Sequence, residues 1–171
     1  MKRKEIERLA QSLHSWENGL ARLSECIAQF QRIEEVLGMC ISAMIGRSRK
    51  VGEIVTAEMS FRTKVSVYGA LFLHTLKKES LPDDIVELIR RIQWAEQQRN
   101  TLVHSLWDAS ESKPECIKRE KKTIRKIVFN VVEEHLTPDE LYDLNQTFEG
   151  IATDLLYLTP KHLPNMENRL L

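Results

Sequence analysis

Eight apolar residues, Leu20, Leu23, Ile27, Phe30, Ile33, Leu37, Ile41 and Met44, recur in steps of three and four with no proline among them. At 3.6 residues per turn they share one face of an α-helix. A stripe of this kind is stable only when other elements cover it, so the rest of the chain must supply amphipathic partners.

It does. The segment from Lys4 to Trp16 is helix-like, with Asn18-Gly19 as a break or kink before the long stripe. Gly46 to Gly52 reads as a turn, with Arg47, Arg49 and Lys50 keeping it soluble. A second helix is expected from about Gly52 to Lys78 on Phe61, Val65, Tyr68 and Phe72, widened by Val67 and Leu71. Ser80-Leu81-Pro82-Asp83-Asp84 stops it and starts a third, whose stripe is Ile85, Leu88, Ile92 and Ala95. Asp108 to Pro114 is small and polar, a loop; the β-branched residues between Glu115 and Glu134 suggest one or two short strands. Thr137-Pro138-Asp139-Glu140 combines a Thr cap, a proline at the first helical position and a Glu three residues after the cap. The fourth helix then carries Leu141, Leu144, Phe148, Ile151, Leu155 and Leu158, ends at Thr159-Pro160, and leaves a docked or frayed arm to Leu171. The expected architecture is all-α: one domain over residues 1–171, an antiparallel four-helix bundle with a short loop or β-hairpin insert before the last helix.

Composition agrees and removes several function classes. Six glycines and five prolines in 171 residues suit a helical chain, and 25 basic residues balance 25 acidic ones. Bulk charge therefore gives no support for tight non-specific nucleic-acid binding, though a local basic patch is compatible with it. Cys26, Cys40 and Cys116 are odd in number and widely spaced, which argues against a zinc site or a disulfide framework and fits a reducing cytosol. Met1-Lys2-Arg3-Lys4 is followed by no apolar run, and no stretch approaches the roughly 20 apolar residues that span a bilayer. The expectation is a cytoplasmic protein with no membrane association. There is no phosphate-cradling glycine loop and no local signature of an activated Ser or Cys nucleophile; His14, His74, His135 and His162 lack metal-ligand spacing, so no cofactor or metal is expected.

The third helix holds the anomaly. Its stripe, continued past Ala95, lands on Arg99 before Leu102 and Leu106 resume it. A buried guanidinium needs a carboxylate, a second subunit or a phosphate to compensate it. Asn100 and His104 are four apart on one face, so the amide is placed to orient the imidazole. Arg99 and His104 are five apart, about 140° on a straight helix, so either the helix changes near here or a site combines two subunits. Arginine grips phosphate oxygens with a rigid fork and histidine moves a proton near neutral pH, which together suit phosphate chemistry without a metal. The competing reading makes Arg99 an internal strut to Glu34, Glu35 or Glu58 and His104 a satisfied core histidine, in a helical interaction domain.

Arg99-Asn100-Thr101-Leu102-Val103-His104 resembles the R-x(4–6)-H signature of HEPN domains, in which a polar residue, often Asn, follows the Arg. The setting is similar as well, with the motif late in the third long helix and one more helix after a variable insert. The resemblance implies a metal-independent endoribonuclease, a symmetric homodimer whose two motifs meet across the interface. In it the RNA 2′-hydroxyl attacks its own phosphodiester to give a 2′,3′-cyclic phosphate. His104 would be the general base or acid, Arg99 would stabilise the phosphorus oxygens, and Asn100 would hold the imidazole or contact phosphate. Family members of this kind are often toxins or phage-defence effectors held by an antitoxin or regulatory protein. Others are non-catalytic scaffolds that bind nucleic acid, a nucleotide or a protein partner. Members silenced by a nucleotidyltransferase carry Tyr two residues after the His; here that position is Leu106, so control by tyrosine modification is not expected.

Two further features bear on RNA. Trp107 either stacks on a base or plugs the bundle or dimer core. Lys118, Arg119, Lys121, Lys122, Arg125 and Lys126 are the dense basic cluster, either a guide for an RNA backbone or the solvated face of a hairpin.

Overall fold

The computed structural model describes residues 3–46, 49–125 and 128–164. The chain is mostly helical, with five helices and one three-stranded antiparallel sheet among the described residues. In order these are α1 (Arg3–Ile45), α2 (Arg49–Ala57), α3 (Phe61–Leu76), α4 (Asp83–Val103), β1 (Leu106–Ala109), β2 (Ile117–Arg125), β3 (Val128–Leu136) and α5 (Pro138–His162). No helix among the described residues is long and apolar enough to cross a membrane. Arg47 and the arm beyond residue 164 lie outside the described residues.

The chain divides into two compact units. One comprises residues 29–97 and 147–171. Its core is the long α1 stripe, Phe30, Ile33, Leu37 and Ile41, packed with Val65, Tyr68 and Phe72 of α3, Ile85, Leu88 and Ile92 of α4, and Phe148, Ile151 and Leu155 of α5. Phe30 meets Phe61 at 4.7 Å and Phe148 at 6.1 Å between ring centroids. The buried Tyr68 hydroxyl is satisfied by Thr159 Oγ1 at 3.0 Å, to which Cys40 Sγ also points at 3.6 Å.

The expected single helix from Gly52 to Lys78 is two. Ser60 leaves helical geometry and its Oγ accepts from Thr63 N at 3.2 Å, an N-cap that starts α3 afresh. The cap wins because the α2 segment carries its own contact: a Cβ on Gly52 would overlap Ser42 of α1, so this glycine lets two helices touch backbone to side chain. α3 closes on Lys77 in the left-handed region, φ 54°.

The other unit comprises residues 1–28 and 98–146. Here α1 is unbroken through Asn18-Gly19. A Cβ on Gly19 would lie 2.5 Å from Ile117 Cγ2, so the glycine admits β2 against the helix instead of ending it. Cys26 Sγ donates to Leu141 O at 3.2 Å, tying α1 to the start of α5. That start has the expected capping box: Glu140 N donates to Thr137 Oγ1 at 3.2 Å, and Thr137 N to Glu140 Oε2 at 2.8 Å. The far end of α5 runs on to His162 with Pro160 inside its last turn, two residues past the expected stop.

The insert is larger than a hairpin. β2 and β3 pair antiparallel over nine positions, from Ile117 opposite Leu136 to Arg125 opposite Val128. β1 adds a third strand along the proximal part of β2 only, Leu106 opposite Glu120 through Ala109 opposite Ile117. The expected helical continuation through Leu106 is therefore wrong. α4 stops at Val103, and Leu106, 60% exposed, belongs to a strand.

Candidate functional site

The end of α4 is fixed by two side chains and one backbone N–H from the residues that follow or close it. Trp107 Nε1 donates to Leu102 O at 2.9 Å, Ser105 Oγ to Thr101 O at 2.6 Å, and His104 N to Asn100 O at 3.1 Å. These occupy carbonyls that a helix C-terminus leaves without intrahelical donors. The motif thus straddles a helix end. Arg99 and Asn100 lie in the last turns of α4, and His104 sits on the turn that leads into β1.

Arg99 occupies the row that runs from Ala95 to Leu102, both buried, but is itself only half-buried. Its Nη1 donates to Asn100 Oδ1 at 2.9 Å. The Asn100 amide is therefore engaged with the guanidinium, and among the described residues no hydrogen bond joins it to the His104 ring. His104 is exposed. Of the proposed strut partners, Glu34 is bonded to Lys64, 2.7 Å from Oε1 to Nζ.

Beside this corner lies an open groove of about 690 Å³. Gln98 and Thr101, one turn apart on α4, form one wall, and Arg119, Lys121, Asn130 and Glu134 of the sheet form much of the other. Gln98, Thr101, Asn130 and Glu134 were not expected at a site. The signal for the first two was their i, i+3 spacing around Arg99-Asn100, whereas the last two depend on the β2–β3 register, which a sequence does not state.

Three of the basic cluster's described cations lie against carboxylates, and a fourth is held by a hydroxyl. On β2, Lys118 Nζ is 3.2 Å and Lys122 Nζ 3.8 Å from the two oxygens of Glu120. Glu120 accordingly raises the Lys118 ammonium above its usual range. Arg119 is bonded to Glu134 across the sheet and lies 5.9 Å from the centroid of the Trp107 ring. Lys121 Nζ donates to Thr101 Oγ1 at 3.1 Å. Lys126 and the Arg125 side chain lie outside the described residues. Trp107 is half-buried, with its N–H on the helix end and Arg119 over its ring, so it locks α4 to the sheet.

One further polar string lies in this unit. Ser110 Oγ and His135 Nδ1 are 3.0 Å apart, and His135 Nε2 is 3.2 Å from Glu133 Oε1. The order Ser, His, Glu is that of a nucleophilic triad, yet Ser110 is fully buried and its Oγ accepts from Lys113 N at 3.0 Å. The string closes the turn between β1 and β2. Among the described residues no group of three or more His, Cys, Asp or Glu converges with metal-holding geometry.

Comparison of the chain with protein-family models, with curated proteins and with solved structures returned no match.

Proposed function

We propose that the chain is a HEPN-like, metal-independent endoribonuclease that works as a homodimer. The observation that carries this reading is the corner itself: an arginine held by the neighbouring amide and an exposed histidine five residues on, in the same helix end whose Gln98 and Thr101 line an open groove. In this reading α1, α3, α4 and α5 are the long helices of an antiparallel HEPN-like bundle, α2 is a short addition and the sheet is the insert before the last helix. The protein would act in the cytoplasm as a toxin or antiviral defence effector, held in check by an antitoxin or regulatory protein.

The chemistry follows from the side chains. One His104 accepts the proton of the RNA 2′-hydroxyl while the 2′-oxygen bonds to phosphorus. The bond from phosphorus to the 5′-oxygen breaks, and the second copy's His104 gives that oxygen a proton. Products are a 2′,3′-cyclic phosphate and a 5′-hydroxyl. Arg99 offers its planar fork to the non-bridging oxygens as charge develops on them. Asn100, bonded to Arg99, fixes the direction of that fork. This replaces the expected hold on the imidazole. Trp107, Arg119 and Lys121 border the path an RNA strand would take, whereas Lys118 and Lys122, beside Glu120, alternate to the other face of β2.

A second reading, a non-catalytic HEPN-like scaffold, draws support from the ion pairs of the insert. Glu120, shared by Lys118 and Lys122, and Glu134, bonded to Arg119, offset two of these three positive charges, which weakens any phosphate guide. Incubating the purified protein with a mixed RNA pool and excess chelator, then reading product ends, separates the two. The ribonuclease yields cyclic phosphate and 5′-hydroxyl ends. Intact RNA, or products with 3′-hydroxyl ends, refutes it.

A further inference from the structure

The first six turns of α1 carry an apolar seam that is exposed among the described residues. Ile6 is 50%, Leu9 52%, Leu13 60% and Leu20 37% exposed, and Trp16 between them is half-exposed. These positions continue in steps of three and four into Leu23 and Ile27. In heptad terms Ile6, Leu13, Leu20 and Ile27 fall at a, and Leu9, Trp16 and Leu23 at d. The same stretch of helix already has a packed side: Ser15 is buried, Gly19 meets Ile117, and Cys26 bonds to Leu141 O. The seam therefore lies on a different face from the one that holds α1 to its own unit, with no role in the fold described above.

We propose that this seam is a homodimer interface in which α1 of one copy pairs antiparallel with α1 of a second. Charge and groove choose the occupant. In an antiparallel pair, a positions face d positions, so Leu9 meets Leu13 of the second copy, Ile6 meets Trp16, and both contacts recur by the two-fold axis. The flanking e positions then bring Arg3 of each copy towards Glu17 of the other, giving two opposite-charge pairs; both side chains are exposed. A parallel pair instead brings g positions beside e positions of the next heptad, and these cross pairs, Glu5 with Ala10 and Ser12 with Glu17, contain no opposite charges. Alongside the seam runs a largely apolar groove of about 390 Å³ that Leu9 and Leu13 share with Ala109, Ser110 and Pro114 of the loop after β1. It offers the second helix a seat on one flank. Residues 3–23 form a helix roughly 30 Å long, and pairing two such lengths covers on the order of 1,000 Å² in total, the threshold for a specific interface. The inference concerns α1 alone and stands whether or not the chain cleaves RNA.

Sedimentation equilibrium across a concentration series tests it on the intact chain. Wild type should sediment at twice the 19.9 kDa of one chain. Leu13→Glu should be a monomer with unchanged helical circular dichroism, since that side chain is exposed and its loss leaves the core alone. Arg3→Glu and Glu17→Arg should each raise the dissociation constant about 10-fold, and the double variant should restore it, a recovery that no other pairing geometry predicts. A monomeric wild type, a Leu13→Glu dimer, or a double variant as weak as the singles overturns the proposal. The outcomes are distinguishable: a dimer that leaves RNA intact removes only the ribonuclease reading, whereas a monomer that cleaves removes both this interface and the two-histidine mechanism.

Discussion

Arg99 stands in a row of apolar side chains and yet reaches the surface. The cost of a guanidinium in such a row depends on how much water it keeps, and a half-buried head keeps enough that no internal carboxylate is compulsory. That distinction is measurable. A buried strut would lose about 3–5 kcal/mol on truncation, because its carboxylate would be stranded. For Arg99→Ala we expect a change of about 1 kcal/mol or less in urea denaturation, with RNA cleavage reduced about 100-fold or more. A destabilisation in the strut range would reassign Arg99 to the fold. At this scale the sequence was informative about residue types and blind to partners. Arg99, Asn100 and His104 were picked out by spacing, but the amide was expected on the imidazole and is on the guanidinium. Spacing of four makes a contact available without saying which of two neighbours takes it. The pairing of Ser110 with His135, 25 residues apart, had no local signal at all.

Among the elements, Gly19 teaches the most about reading helices. A glycine after an asparagine suggests an end, because both residues favour turns. Here the intrinsic cost of glycine is outweighed by the closeness it allows between α1 and Ile117, a fully buried side chain. Gly19→Ala should therefore destabilise by about 1–3 kcal/mol despite the higher helix propensity of alanine. Ile117→Ala in the same background should recover part of the loss, and chemical denaturation of the two variants checks both. If Gly19→Ala were instead stabilising, the close approach would not be tight. The errors elsewhere have the same origin. Ser60 caps α3 in the middle of a longer apolar pattern that runs through it, and Leu106 matched a helical period while pairing in a strand. Thr137 to Glu140 was read correctly because a capping box is complete within four residues.

For the whole molecule, the helical class was legible from periodicity and the scarcity of glycine and proline, while the sheet was underestimated because its strands depend on register across the chain. One consequence of the way the ends of two helices meet within the 29–97 and 147–171 unit is pH dependence. Asp84, in the first turn of α4, receives Lys161 Nζ and His162 Nε2 of α5, each at 2.9 Å. The hydrogen bonds from His162 and Lys161 lower its carboxyl from 3.8 to about 2. A carboxyl depressed by folding adds stability where it is ionised in both states, above its unfolded pKa of about 3.9, and that contribution fades as pH falls through about 2. The melting temperature of wild type should thus exceed that of Asp84→Asn most clearly above pH 4, with the gap closing towards pH 2. A gap independent of pH would mean the carboxylate charge is immaterial. Cys26 and Cys40 belong to the same account: burial pushes both thiols up to about 11, so they serve the core as small apolar groups.

The central claim is that His104 moves the proton in RNA cleavage at the end of α4. The direct measurement is the cleavage rate of one RNA pool by wild type and by His104→Ala, both with excess chelator and both shown to melt cooperatively. We predict cyclic-phosphate products from wild type and a rate at least about 100-fold lower from the variant, the range that general acid–base catalysis supplies. Equal rates, or no cleavage by either protein, would contradict the claim.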